Sequence, residues 1–275
     1  MLKKERPLIL VTNDDGIHAP GIGFLISVAS EFGDVVVIAP EQGMSGMSHA
    51  ITIKTPLRYK LLASNGVLMM ASVNGTPVDC VKVALRRLLQ KKPDLLLSGV
   101  NHGSNASVNT IYSGTMAAAF EGAMAGIPSV GFSLVDYDHQ APLEHLRPFL
   151  NQIVEETISK GLPKNVCLNV NIPISKNADE IKGIKLCRQA LGYWQEAFEE
   201  RLDPHKQPYF WMSGEFVCLD QGEDTDLQAL ENHYISLVPM HFDFTAHQQF
   251  NHFTNWNTIE NQSETTNQHE ILQKK

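Results

Sequence analysis

Four short runs that are apolar almost throughout constrain this chain more than any other feature. They are Leu8–Thr12 (LILVT), Asp34–Pro40 (DVVVIAP), residues 93–101 (PDLLLSGVN) and Ser129–Leu134 (SVGFSL). A strand apolar on both faces needs cover on both faces, as in a parallel sheet sandwiched between helices. Between the first two runs, GIGFLISVASEFG sets Ile22, Leu25, Ile26 and Ala29 at helical spacing, with Gly33 as a stop. Strand, helix and strand at this spacing predict a right-handed crossover and an open α/β sheet.

The rhythm breaks at ITIKTPLRYKLLASNGVLMMASVNGTP, whose looser alternation and Asn65-Gly66 dipeptide predict an antiparallel hairpin excursion. Thr76 is then expected to cap a helix with Pro77 at its first position and Val78, Val81, Leu85 and Leu88 on one face. TMAAAFEGAMAGIP predicts a small-residue helix ending at Gly126, and LEHLRPFLNQIVEETISK predicts another that leads into the strand VCLNVNIP. Beyond Pro173, GIKLCRQ, PYFWMSGEFVCL and YISLVPM are expected to form a second, antiparallel layer or arm. The stretch from Asn251 is rich in Asn, Gln, Thr and Glu, a composition expected to stay unpacked.

Over the 275 residues the net charge is -8, so a protein that grips nucleic acid through its backbone is excluded for want of a basic face. A phosphate-bearing ligand must then be held by a local device such as a metal or a helix N-terminus. Cys80, Cys167, Cys187 and Cys218 form no CxxC pair and have apolar neighbours, which predicts buried, reduced thiols. After MLKKERP the apolar stretch Leu8–Val11 is too short for a signal-peptide core, and no run approaches a membrane span, so a cytoplasmic protein is expected.

Ligands of open parallel sheets bind beyond the carboxyl ends of the strands. Those ends carry NDDG (13–16), PEQGMSGMSH (40–49) and SGVNHGSN (98–105), three polar, glycine-containing loops expected to converge. Asp14 and Asp15 stand where the strand gives way to Gly16, so both can face one point, and paired anions either raise a pKa or take a cation. Hard oxygen ligands suit Mg²⁺, Mn²⁺ or Ca²⁺, and Ser45 and Asn101 offer two further oxygens. Taken alone, DDG reads as a turn in which Asp15 caps the next helix. Ser113-Gly114-Thr115 stands at a helix N-terminus, suited to an anion or to ordinary capping. The Asn- and Ser-rich loop before it supplies neutral donors.

Neither G-x-G-x-x-G nor a G-x-x-x-x-G-K-[ST] loop follows the first strand. At that strand end the spacing is wrong for the D-x-D of haloacid-dehalogenase-type phosphatases, and around Ser45 the G-x-S-x-G elbow is absent. His18, His49 and His102 lie in the crevice loops, whereas His241, His247 and His252 show no metal-ligand spacing.

The runs TNDDGIHAPGI, VVVIAPEQGMSGMSHAIT, VNGTPVDCV, PDLLLSGVNHGSN and IYSGTMAAAFEGAMAGIPSVGFSL, with the later NVNIP and DPHKQPYFWMSG, resemble the SurE survival-protein family of nucleotidases over about residues 8 to 250. The resemblance implies a Rossmann-like α/β fold, mainly parallel with helices on both faces, an antiparallel hairpin excursion and a C-terminal arm. Residues 1–250 would form one domain, about 175–250 being the β-rich oligomerisation region, ahead of a polar tail at 251–275. The arm would be exchanged within a homodimer or homotetramer, though Tyr209, Phe210 and Trp211 fit a core equally well.

The implied activity is a divalent-metal-dependent phosphatase on nucleoside 5'-monophosphates, in some members also on 3'-nucleotides and short polyphosphate. It would carry one Mg²⁺ or Mn²⁺ per subunit and bind neither duplex nucleic acid nor membrane. Carried over by position, the metal ligands are Asp14, Asp15, Ser45 and Asn101, with Asp14 and Asp15 catalytic. Asn13, Asn105, Ser113, Gly114 and Thr115 would contact phosphate or substrate. The chain departs from the family in lacking two basic residues before the serine, where it has Glu41, Gln42, Gly43 and Met44. Ser107, Val108 and Asn109 replace a glycine and acidic residues of the next loop. A nucleotide-binding regulator without turnover, or a Ca²⁺-dependent nucleoside hydrolase, would fit the same strand ends.

Overall fold

In the computed structural model, which describes residues 6–64 and 68–257, the four apolar runs lie side by side as strands. β1 (Leu8–Thr12) leads through α1 (Pro20–Phe32) to β2 (Asp34–Pro40), and β3 (Tyr59–Ser64) and β4 (Leu68–Val73) follow. α2 (Pro77–Val83) runs through a π-turn at Ala84–Leu88 into β5 (Leu95–His102), then come α3 (Asn109–Tyr112), α4 (Gly114–Met124), β6 (Ser129–Leu134), α5 (Arg147–Lys160) and β7 (Val166–Ile172). β8 (Ile184–Leu186), β9 (Gly192–Leu202), β10 (Pro208–Cys218), α6 (Asp226–Glu231) and β11 (Ile235–His241) complete this unit.

The main sheet has the order β3-β4-β2-β1-β5-β6-β7-β11-β8. From β1 the chain moves outward to β2 and β4, then returns to place β5 on the other side of β1. β1 pairs in parallel with both β2 and β5. That reversal makes the β1/β5 boundary a topological switch point, where the crevice of an open α/β sheet forms.

Local sequence explains the framework. Thr76 closes a capping box, accepting from the Asp79 N–H while Asp79 accepts from the Thr76 N–H, an arrangement worth about 1 kcal/mol. Ile9, Val11, Leu95, Leu97 and Phe132 pack against α1 and α5 on one face of the sheet. Leu10, Ile38 and Leu96 pack against α2 and Ala118 of α4 on the other. Burial on both faces is therefore realised. The expected hairpin is antiparallel between β3 and β4, while its Asn65-Gly66 turn lies outside the described residues.

Two expectations change. GIKLCRQ and YISLVPM do not build a second layer, because β8 and β11 extend the main sheet, β11 antiparallel to β7 and parallel to β8. Only PYFWMSGEFVCL leaves it, as β10, paired antiparallel over its full length with β9. Cys80, Cys167 and Cys187 are buried free thiols, but Cys218, at the end of an unsupported hairpin strand, is exposed.

A second compact unit begins at Asp243. It contains α7 (Phe250–Phe253) between the 3₁₀ turns His247–Gln249 and Thr254–Asn257, with the Phe253 and Trp256 rings edge-on at 4.9 Å. The rest of the polar segment from Asn251, residues 258–275, lies outside the described residues. No helix among the described residues is long and apolar enough to cross a membrane.

Candidate active site

The loop after β1 is built around Gly16, whose φ of 100° permits a turn that side-chain-bearing residues rarely adopt. Its carbonyl accepts from Asn13 Nδ2 at 2.9 Å and from the Ala19 N–H at 3.1 Å. The loop after β2 is laced onto it. The Ile17 N–H donates to Pro40 O at 2.8 Å, and the Met44 N–H donates to Asp14 O at 2.7 Å. These bonds carry Ser45 to the carboxylates. α1 begins after Ala19, which makes no side-chain cap, so capping does not explain Asp15.

Asp14 is 4% exposed. The Thr115 hydroxyl donates to Asp14 Oδ1, and the Thr115 N–H also reaches that carboxylate. Gly114 is required by this approach, since a Cβ there would lie 2.8 Å from Asp14 Cβ. The Asp14 carboxyl is pushed up to about 6, chiefly by burial. The Thr115 hydroxyl opposes that rise, and the Asp15 charge adds to it.

Asp15 Oδ2 accepts from the His102 backbone N–H at 3.2 Å, with His102 Nδ1 3.8 Å away. Asn101 spends its amide on Gly103 O at 2.7 Å, leaving the carbonyl oxygen as its remaining group. Asn105 is pinned from β7 and β6. Its N–H donates to Asn171 Oδ1 (2.8 Å), its Nδ2 to Ser133 Oγ (2.8 Å), and its carbonyl accepts from Asn169 Nδ2 (2.9 Å). The NVN of β7 thus sets the loop.

These strand ends enclose a pocket of about 460 Å³. Of the expected residues, Asp14, Asp15, Ser45, Asn101, Asn105 and Ser113 line it together. Asn13, Gly114 and Thr115 do not. Asn13 is buried and braces Gly16, Gly114 is packed on Asp14, and the Thr115 hydroxyl is spent on Asp14. Ser113 caps α4, accepting from the Met116 N–H at 3.0 Å while still facing the pocket. Of the loop histidines only His102 lines it. His49 bonds Glu121 at 3.2 Å, and His18 is exposed.

The sequence reading missed Tyr112, Tyr137, His139 and Trp194, which form the outer wall. Trp194 on β9 donates from Nε1 to Asn109 Oδ1 at 2.8 Å, so the root of the hairpin touches the site loop. No local motif marks a lone Trp in an alternating strand as a pocket residue.

The donor set fits a hard divalent cation. Two carboxylates, a hydroxyl and an amide carbonyl line one pocket, and one carboxyl is pushed up by burial, with the neighbouring Asp15 charge adding to the rise. A mainly parallel α/β sheet with such a site at its switch point defines a Rossmann-like protein with an acidic, oxygen-rich ligand crevice. The comparisons narrow this to one family. The model of the family described as "Survival protein SurE" matches residues 9–196, and the chain belongs to the SurE family.

Among curated relatives, a protein of Flavobacterium psychrophilum named 5'-nucleotidase SurE is 54% identical over 91% of this chain and 98% of its own length. A Christiangramia forsetii protein of the same name is 51% identical over 93% and 98%. The crystal structure of the SurE protein from Aquifex aeolicus superposes with a TM-score of 0.78 at 36% identity, covering 91% of this chain and 99% of that one.

Proposed function

We propose that this chain is a 5'-nucleotidase, a phosphatase that hydrolyses nucleoside 5'-monophosphates with the help of one Mg²⁺ or Mn²⁺ per subunit. The observation that carries the reading is the convergence of Asp14, Asp15, Ser45 and Asn101 on one pocket, in a chain whose relatives bear that name. A divalent ion held by these four residues supplies charge neutralisation and polarisation of a phosphoryl oxygen. Asp14, anchored by Thr115, orients the attacking water and accepts its proton. Ser113 already accepts from Met116, so its own O–H is free to donate to a phosphate oxygen. Asn105 has its side-chain NH₂ engaged and keeps its side-chain oxygen Oδ1, an acceptor suited to a sugar hydroxyl rather than to phosphate. Tyr112, Tyr137 and Trp194 offer apolar faces to a base.

The reading extends to 3'-nucleotides and short polyphosphate as further substrates. It also includes a cytoplasmic location and a homodimer or homotetramer built through the β9–β10 arm. A two-stranded hairpin is marginal alone in water, and this one exposes Phe198, Phe210, Trp211 and Met212, which a second copy would cover.

The test is a product analysis on AMP, GMP, 3'-AMP and tripolyphosphate with Mg²⁺ or Mn²⁺. Nucleoside and free phosphate from AMP or GMP are expected. Release of free base would make the protein a glycosidic hydrolase, and nucleotide binding without turnover would make it a regulator.

A further inference from the structure

His102 is buried without explanation. Its side chain is 0% exposed, yet neither Nδ1 nor Nε2 has a hydrogen-bond partner. A buried polar atom left unpaired costs about 1–3 kcal/mol, so two on one ring call for a ligand. His102 is one of the residues that line the pocket, together with Asp15 and His139. His102 Nδ1 lies 3.8 Å from Asp15 Oδ2, beyond hydrogen-bond reach. The His102 and His139 rings sit 5.0 Å apart and tilted by 53°, and one donor atom from each of the three residues falls within 4.8 Å of the others.

We infer that Asp15, His102 and His139 form a second cation position, bearing nitrogen ligands, beside the oxygen site of the proposed nucleotidase and sharing Asp15 with it. Two atoms each about 2.1 Å from one ion lie about 3.0 to 4.2 Å apart as the angle between them opens from a right angle to a straight line. The Asp15–His102 separation falls inside that span. Both imidazoles offer a lone pair when neutral, and the carboxylate supplies charge. Imidazole ligation selects Zn²⁺, Co²⁺ or Ni²⁺ over Mg²⁺ and Ca²⁺, so the two positions differ in chemistry as well as place. The backbone bond from His102 to Asp15 holds the carboxylate at the boundary between them.

The test is a Co²⁺ titration of the metal-stripped full chain, followed by calorimetry and by the visible absorption of bound Co²⁺. Wild type should bind two equivalents. His139→Ala, at an exposed loop position where folding is not at risk, should bind one and weaken the nitrogen site about tenfold or more. Asp14→Asn should lose the oxygen site and keep the Co²⁺ band that depends on His139. The same band in a wild-type protein that releases no phosphate from AMP with Mg²⁺ or Mn²⁺ would uphold this position while removing the proposed function. Saturation of wild type at one equivalent, with stoichiometry, affinity and spectrum unchanged in His139→Ala, would overturn it.

Discussion

The hydroxyl of Thr115 donates to Oδ1 of Asp14 across 101 residues of sequence, joining the N-terminus of α4 to the end of β1. The helix end that resembles a phosphate cradle is thus partly occupied by the protein's own carboxylate. Thr115→Val removes the hydroxyl and leaves a buried carboxylate oxygen short of a donor, a loss of about 1–3 kcal/mol. Phosphate release from AMP should fall about tenfold or more, whereas Thr115→Ser should retain most of it. Equal kcat/KM in Thr115→Val and wild type would show that this bond does not matter to the reaction.

The raised Asp14 pKa makes a signed prediction for metal-free protein. With the folded value at about 6 against an ordinary 3.8, the folded state holds a proton that the unfolded chain releases. The contribution of Asp14 to stability is therefore greatest below about pH 4 and is lost as pH rises through 6, by at most about 3 kcal/mol. In EDTA, Asp14→Asn should lack this decline and exceed wild type in stability at pH 7. Denaturant melts at pH 4 and pH 7 measure it. Parallel pH profiles for the two proteins would contradict it.

Asp226 connects distant parts of the site. Buried on α6, it accepts from the Ser107 N–H at 2.8 Å and from the Ala190 N–H at 2.9 Å, tying the loop between β5 and α3 to the root of the β9–β10 hairpin. Burial pushes its carboxyl up, against the pull of these backbone donors. Asp226→Ala strands both N–H groups and should cost about 2–4 kcal/mol in a denaturant melt. Destabilisation below about 0.5 kcal/mol would contradict the role assigned to it.

The exposed hairpin predicts an assembly. Trp211→Glu with Met212→Lys places charge on residues that are 61% and 70% exposed, so the single chain should tolerate both. Sedimentation should show a dimer or tetramer for wild type and a smaller species for the variant. A wild-type monomer would remove the arm from the account.

Elements that bury both faces announced themselves. β2 and β6 occupy the spans their apolar runs delimit, and Thr76 caps as its type and position require. β9 was missed because GYWQEAFEERL is exposed along most of its length and has no buried face to leave a period. β8 and β11 were assigned to a separate layer because pairing at a sheet edge is set by tertiary contacts, which three residues of β8 cannot encode. In the site, Asp14, Asp15, Ser45 and Asn101 were legible because strand ends converge by topology. His139 and Trp194 were not, since they reach the pocket from a loop and a hairpin that no motif marks. Thr115 was legible as a helix start but not as a partner of Asp14, a contact made only by folding.

In the proposed function the paired carboxylates hold a cation that phosphate release requires. The direct measurement is phosphate release from AMP by EDTA-stripped wild type and by Asp14→Asn, each before and after addition of Mn²⁺ or Mg²⁺, with folding checked by circular dichroism. Stripped wild type should be inactive and recover with the ion, while folded Asp14→Asn should stay inactive at any ion concentration. Wild-type rates from the stripped protein, or from Asp14→Asn, would contradict the account.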